Sequence, residues 1–117
     1  MIQVKEVVNT TNKEEFISKK YLRQIFCRSV LSCVCASLNS PEEVDDYDNI
    51  RTFRSNVFGI RFMAHNSGII SDAESACIQI FLDRIFDNVS FEGSVPAFVL
   101  VCQTKKDFLY YLKTTFA

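Results

Sequence analysis

The sequence predicts an all-α bundle of five or six helices with a hydrophobic helix at its centre. Three observations carry that prediction. Apolar residues recur at spacings of three and four, as on one face of a helix, rather than in the alternation of a strand. Two capping-box signatures, Thr11 to Glu14 and Ser71 to Glu74, mark helix starts, and the runs Asn39-Ser40-Pro41 and His65-Asn66-Ser67-Gly68 mark stops. The segment Val95 to Val101 is apolar on nearly every side once Pro96 has opened it, which is the pattern of a buried helix. At 117 residues the chain is expected to form one domain, residues 1–117.

Residues 1–10 alternate only weakly around Ile2, Val4, Val7 and Val8 and are expected to form an irregular extension. The first helix should start at the Thr11 or Asn12 cap and use Phe16, Leu22, Ile25, Phe26, Val30 and Val34. It should end before Pro41, which cannot continue the hydrogen-bond ladder. Its length points to a kink or break near Ser32. The acidic stretch Glu42 to Asp48 suits the start of a second helix, where the dipole favours carboxylates. That helix then carries Ile50, Phe53, Val57 and Ile60, with Gly59 inside it at a cost of roughly 1 kcal/mol relative to Ala. A third helix follows Ser71, placing Ala73, Ala76, Cys77, Ile80, Phe81, Ile85 and Phe86 inside and ending near Asp87-Asn88. After a corner at Phe91-Glu92-Gly93-Ser94, in which Ser94 offers a cap, the fourth helix opens at Val95. It continues or restarts through Phe108, Leu109, Tyr111, Leu112 and Phe116.

Composition narrows function mainly by exclusion. A net charge of −1 with dispersed Lys and Arg gives no footprint for nucleic acid. The densest basic group, Lys13, Lys19, Lys20, Arg23 and Arg28, reads as the solvated face of the first helix. The five cysteines show no metal or redox spacing and read as buried free thiols of a reducing compartment. Asn9-Thr10-Thr11 and Asn88-Val89-Ser90 match the glycosylation triplet by chance on that reading. The lone His65 sits in a polar turn, and Asp45, Asp46 and Asp48 lack the glycine and terminal glutamate of a calcium loop. The chain therefore reads as a non-enzyme with no cofactor or metal. It also shows no apolar run long enough to anchor it in a membrane, and its polar first residues are not expected to act as a leader peptide. Eleven Phe in so short a chain leave some rings near the surface, where a partner or a second copy would cover them.

The stretch Phe81 to Val101 is the most informative. An apolar helix end, the corner Asp87-Asn88-Val89-Ser90-Phe91-Glu92-Gly93 and a very apolar following helix resemble the BH1 segment of Bcl-2-type regulators of cell death. Asp87 matches the acidic corner residue, Phe91 stands where Trp is usual, and Gly93 serves as the corner glycine with one residue inserted. Ser90 replaces the usual Asn, and no Arg follows Gly93 to read the Asp of an incoming BH3 helix. The glycine-rich BH2 motif is absent, and the BH3-like run Phe53, Val57, Ile60 lacks its Leu and Asp.

Short, tail-less chains with such degraded motifs resemble the divergent Bcl-2 homologues of large DNA viruses such as poxviruses and iridoviruses. The resemblance implies a Bcl-2-like bundle that sequesters pro-apoptotic BH3-containing proteins and so inhibits host apoptosis. It would work in the cytoplasm of an infected cell and reach mitochondria through its partners. The implied groove comprises Phe53, Val57, Phe58, Phe62, Phe81, Ile85, Asn88, Phe91, Gly93, Ser94 and Phe98, with Arg84 or Arg61 as substitutes for the missing Arg. Two alternatives stand beside it. One is a Bcl-2-like inhibitor of innate immune signalling. The other is a structural protein that self-associates, as a homodimer, through its Phe-rich face.

Overall fold

The computed structural model describes the backbone of residues 4–116 and the side chains of residues 18–116. Five helices follow one another: α1 Val4–Ala36, α2 Pro41–Asp45, α3 Tyr47–Asn66, α4 Asp72–Val89 and α5 Ala97–Phe116. The all-α prediction holds, and no strand occurs among the described residues. The first helix departs from expectation. It is already helical at Val4, so the Thr11 signature lies inside it, and it runs without a break past Ser32 to Ala36. Thr and Asn inside a helix cost only a fraction of a kcal/mol each, too little to stop one that its neighbours extend. Residues 1–3 of the expected irregular extension lie outside the described residues.

The stop after α1 is made by Leu38, whose φ of 58° is left-handed. A leucine there is strained by about 1 kcal/mol or more. Its side chain is only 1% exposed, and burying a leucine stabilises by about 2 kcal/mol, enough to hold the conformation. The acidic stretch makes two helices rather than one start. Ser40 caps α2 through the Glu43 amide, Pro41 occupies its first turn, and Asp46 then caps α3 by accepting from the Asp48 amide at 2.9 Å.

The turn after α3 is a Schellman motif. The Ile69 amide donates to the Ala64 carbonyl at 2.9 Å and the Gly68 amide to the His65 carbonyl at 3.1 Å. Gly68 has φ 73°, which an L side chain rarely adopts. The capping box at α4 is complete, with Ser71 Oγ accepting from the Glu74 amide and Glu74 accepting from the Ser71 amide. Ser94 does not cap α5. That helix starts from Pro96, whose carbonyl accepts from the amides of Val99 and Leu100.

The four long helices form a closed ring of contacts, α1 against α3, α3 against α4, α4 against α5 and α5 against α1, while α2 bridges α3 and α5. Phe26, Val30 and Val34 of α1 meet Phe53 and Val57 of α3, Ile78, Leu82 and Ile85 of α4, and Val101, Phe108 and Leu112 of α5 in one core. Phe81 stacks on Phe108 with centroids 5.0 Å apart, and Phe26 meets the edge of Phe116 at 5.2 Å. Two expectations shift here. On α4, Ile78 and Leu82 are the buried residues, whereas Ala73, Ala76 and Ile80 are exposed. The apolar run Val95 to Val101 is not enclosed all round, since Val95, just before α5, and Val99, in its first turn, are 42% and 49% exposed.

Gly59 faces open space, with nothing within 4 Å of where a Cβ would stand. Close packing therefore does not require it. Gly59→Ala is expected to raise the unfolding free energy by about 0.5–1 kcal/mol, read from the urea midpoint. A loss of stability would show that the position is restrained in a way the helix geometry does not reveal.

Candidate functional site

The eleven residues of the implied groove do not line one surface. Phe53, Val57 and Ile85 are at most 1% exposed and hold α3 and α4 together, so no ligand reaches them while the bundle is closed. Phe81 is part of the same packing through Phe108 and Tyr111. Asn88 serves the fold: its amide donates to the Leu100 carbonyl at 3.2 Å and to Thr104 Oγ1 at 2.6 Å, fastening the end of α4 to α5. Phe91 lies over Gly93, where a Cβ would come within 2.4 Å of the ring, and both are exposed together with Ser94. Phe98 borders an apolar hollow of about 340 Å³ between α2 and α5 with Val44 and Pro96. Phe58 and Phe62 are the exposed pair, 48% and 52%, stacked on each other 6.1 Å apart along α3.

What the fold does assemble is a cleft where the start of α3 meets the end of α4. Asp46 sets the first turn of α3, so Tyr47, Ile50, Arg51 and Arg54 project at spacings of three and four toward Phe86, Val89 and Ser90. The space between them is about 200 Å³. Its apolar wall is Ile50, Phe86 and Val89, and its rim is two guanidinium groups. Arg51 pairs with Asp48 at 3.2 Å and lies over the Tyr47 ring. Arg54 lies 4.9 Å over the Phe86 ring and has no carboxylate partner among the described residues. Such a cleft takes one apolar side chain and, beside it, one carboxylate. Of the arginines expected to replace the missing one, Arg61 instead donates to Ser75 Oγ at 2.8 Å and Arg84 lies 5.9 Å over Phe81. Sequence periodicity placed Ile50 on the inner stripe but offered no sign that Arg54 would face the far end of α4.

The cysteines divide between inside and outside. Cys27 is buried, donates to the Leu112 carbonyl at 3.6 Å, and has its thiol pKa pushed up by that burial. Cys35 and Cys102 are exposed, which corrects the reading of all five as buried. His65 Nε2 lies 2.6 Å from Asp72 Oδ1 across the turn between α3 and α4, a contact between two helix ends. Among the described residues no group of His, Cys, Asp and Glu could hold a metal ion, and no helix is long and apolar enough to cross a membrane.

Comparison with known proteins adds no relative: no protein-family model, curated protein or solved structure matches this chain.

Proposed function

We propose that this chain is a binding protein that captures an amphipathic helix of a partner in the α3–α4 cleft. The observation that carries the reading is Arg54, a guanidinium without a carboxylate partner among the described residues, beside an apolar wall of Ile50, Phe86 and Val89. A helix with an apolar residue and an Asp or Glu one turn apart matches that arrangement. The BH1-like corner makes pro-apoptotic BH3 helices the first candidates, since these carry such a pair. The consequence would be sequestration of those proteins and a block on host cell death, as in viral Bcl-2 homologues. Arg54 would then supply the charge that the corner lacks after Gly93.

Fluorescence titration with a panel of labelled BH3 peptides tests this. Binding is expected for at least one peptide, and Arg54→Ala should weaken it about tenfold, the effect of removing one charge-assisted contact. Phe98→Ala, on the separate hollow beside α2, should leave affinity unchanged, although the BH1 resemblance places Phe98 in the groove. Absence of binding at about 50 μM across the panel, a concentration well above the range of specific helix capture, would sink the reading.

A further inference from the structure

We propose that a second copy of this chain covers the outer face of α3 and α4, in a two-fold dimer whose axis runs parallel to those helices. The face has an unusual make-up. Along α3, Arg51, Arg54 and Phe58 recur at spacings of three and four, with Phe62 one turn further on, a basic and aromatic stripe. Along the neighbouring edge of α4, Ala76, Ile80, Asp83 and Asp87 recur at the same spacings, an acidic and small-apolar stripe. Phe58, Phe62 and Ile80 are each about half exposed, at 48%, 52% and 51%. Three large apolar side chains open to water on one face mark a surface that is normally covered.

Charge complementarity decides what covers it. Contacts within the molecule fix the level of one helix against the other. His65 meets Asp72, Arg61 meets Ser75, and Arg54 lies over Phe86. By that register Phe58 is level with Gln79 and Ile80, and Arg54 with the turn between Asp83 and Asp87. A two-fold axis parallel to the helices lays α3 of one copy over α4 of the other at the same level. It brings Phe58 onto Ile80, Phe62 onto Ala76, and Arg54 between Asp83 and Asp87, and each contact occurs twice. The axis at right angles would instead lay α3 antiparallel on α3 and α4 on α4, which brings Arg54 to no carboxylate of the α4 stripe.

Two helices of about 27 Å with a joint width of about 20 Å offer roughly 500 Å² per copy. That places the interface at the low end of specific ones, so the dimer should be weak and concentration-dependent. Bound copies would cover Arg54, so dimer and captured helix compete for it. The dimer itself does not depend on the cleft reading and is measured without any peptide.

Sedimentation equilibrium of the full chain between about 10 μM and 1 mM, a span that brackets weak association, should show a monomer–dimer equilibrium. Phe58→Glu and Ile80→Glu should each raise the dissociation constant at least about tenfold, with circular dichroism confirming unchanged helix content. Arg54→Asp and Asp83→Arg should each do the same, and the double variant should return to within about threefold of the native chain. A monomer at every concentration overturns the proposal. So does a dimer that neither Phe58→Glu nor the single charge reversals weaken, or a double variant weaker than both singles.

Discussion

Arg23→Ala is expected to lower the unfolding free energy by about 3 kcal/mol at neutral pH. The guanidinium joins three parts of the chain. It grips Glu74 at the start of α4 with two bonds of 2.9 and 2.7 Å, donates to the Ile69 carbonyl at 2.8 Å, and lies 4.7 Å over the Phe116 ring at the end of α5. The ion pair is mostly shielded, with 28% and 18% of the two side chains exposed. Truncating one partner leaves the other's charge short of hydrogen bonds in a poorly hydrated place, which costs more than the pair itself is worth. Contact with Phe116 adds about 0.5–1 kcal/mol.

Acid should reveal the same contact. The hydrogen bonds from Arg23 hold the Glu74 carboxyl down at about 2, against an ordinary 4.5. Its folded form therefore binds a proton less readily than its unfolded form. The stabilisation is complete above about pH 5 and drains away as pH falls from about 4.5 through about 2, by roughly 2 kcal/mol after allowance for the water that reaches the pair. Urea unfolding at pH 7 and at pH 3 should show that part of the slope in the native chain and its absence in Glu74→Gln. If Arg23→Ala costs under about 1 kcal/mol, or Glu74→Gln keeps the native acid slope, the clamp is not what joins α1 to α4.

Arg23 also shows where the sequence stops being readable. It lies among Lys19, Lys20 and Arg28, and all read alike as a solvated face. Only Arg23 folds onto Glu74, 51 residues away, and periodicity within α1 carries no trace of so distant a partner. Features settled within four residues were legible: the Ser71–Glu74 capping box, the Gly68 turn and the helical character of every long element. The phase of α4 was not. Apolar residues occupy both sides of that helix, so spacing alone cannot say that Ile78 and Leu82 go inward and Ile80 outward. The expected groove failed for a related reason. Phe53, Val57, Phe58 and Phe62 were read as one surface, but consecutive helical positions diverge by about 100°, which sends the first two into the core and the last two to solvent. The Arg54 cleft needed the packing of α3 on α4 before it existed at all.

Lys105→Ala should cost about 2–4 kcal/mol, and Lys105→Met clearly less. Lys105 lies on the inner face of α5 and is only 7% exposed. Its ammonium donates to the Ser37 carbonyl, just past the end of α1, and to Asn39 Oδ1 at 2.9 Å. Asn39 in turn donates to the Cys35 carbonyl at 2.8 Å, and its amide donates to Glu43 Oε2 at 2.7 Å. The lysine thus satisfies the Ser37 carbonyl and holds Asn39, which takes the Cys35 carbonyl that the helix end leaves over, and it fixes the segment in which Leu38 takes its left-handed turn. Alanine removes both the donors and the methylene stem, leaving a buried carbonyl unpaired and a void beside it. Methionine keeps most of the stem volume and loses only the donors, so the difference between the two variants separates packing from hydrogen bonding. Burial pulls the ammonium pKa below its ordinary 10.5, a shift that the nearby Glu43 only partly offsets. Between the lowered value and 10.5 the unfolded chain holds more protons than the folded one, so native stability should rise with pH across that window. Lys105→Met should lack that rise. A cost under about 1 kcal/mol in both variants, or a rise that persists in Met, would mean that α1 is stopped by Leu38 and Pro41 alone.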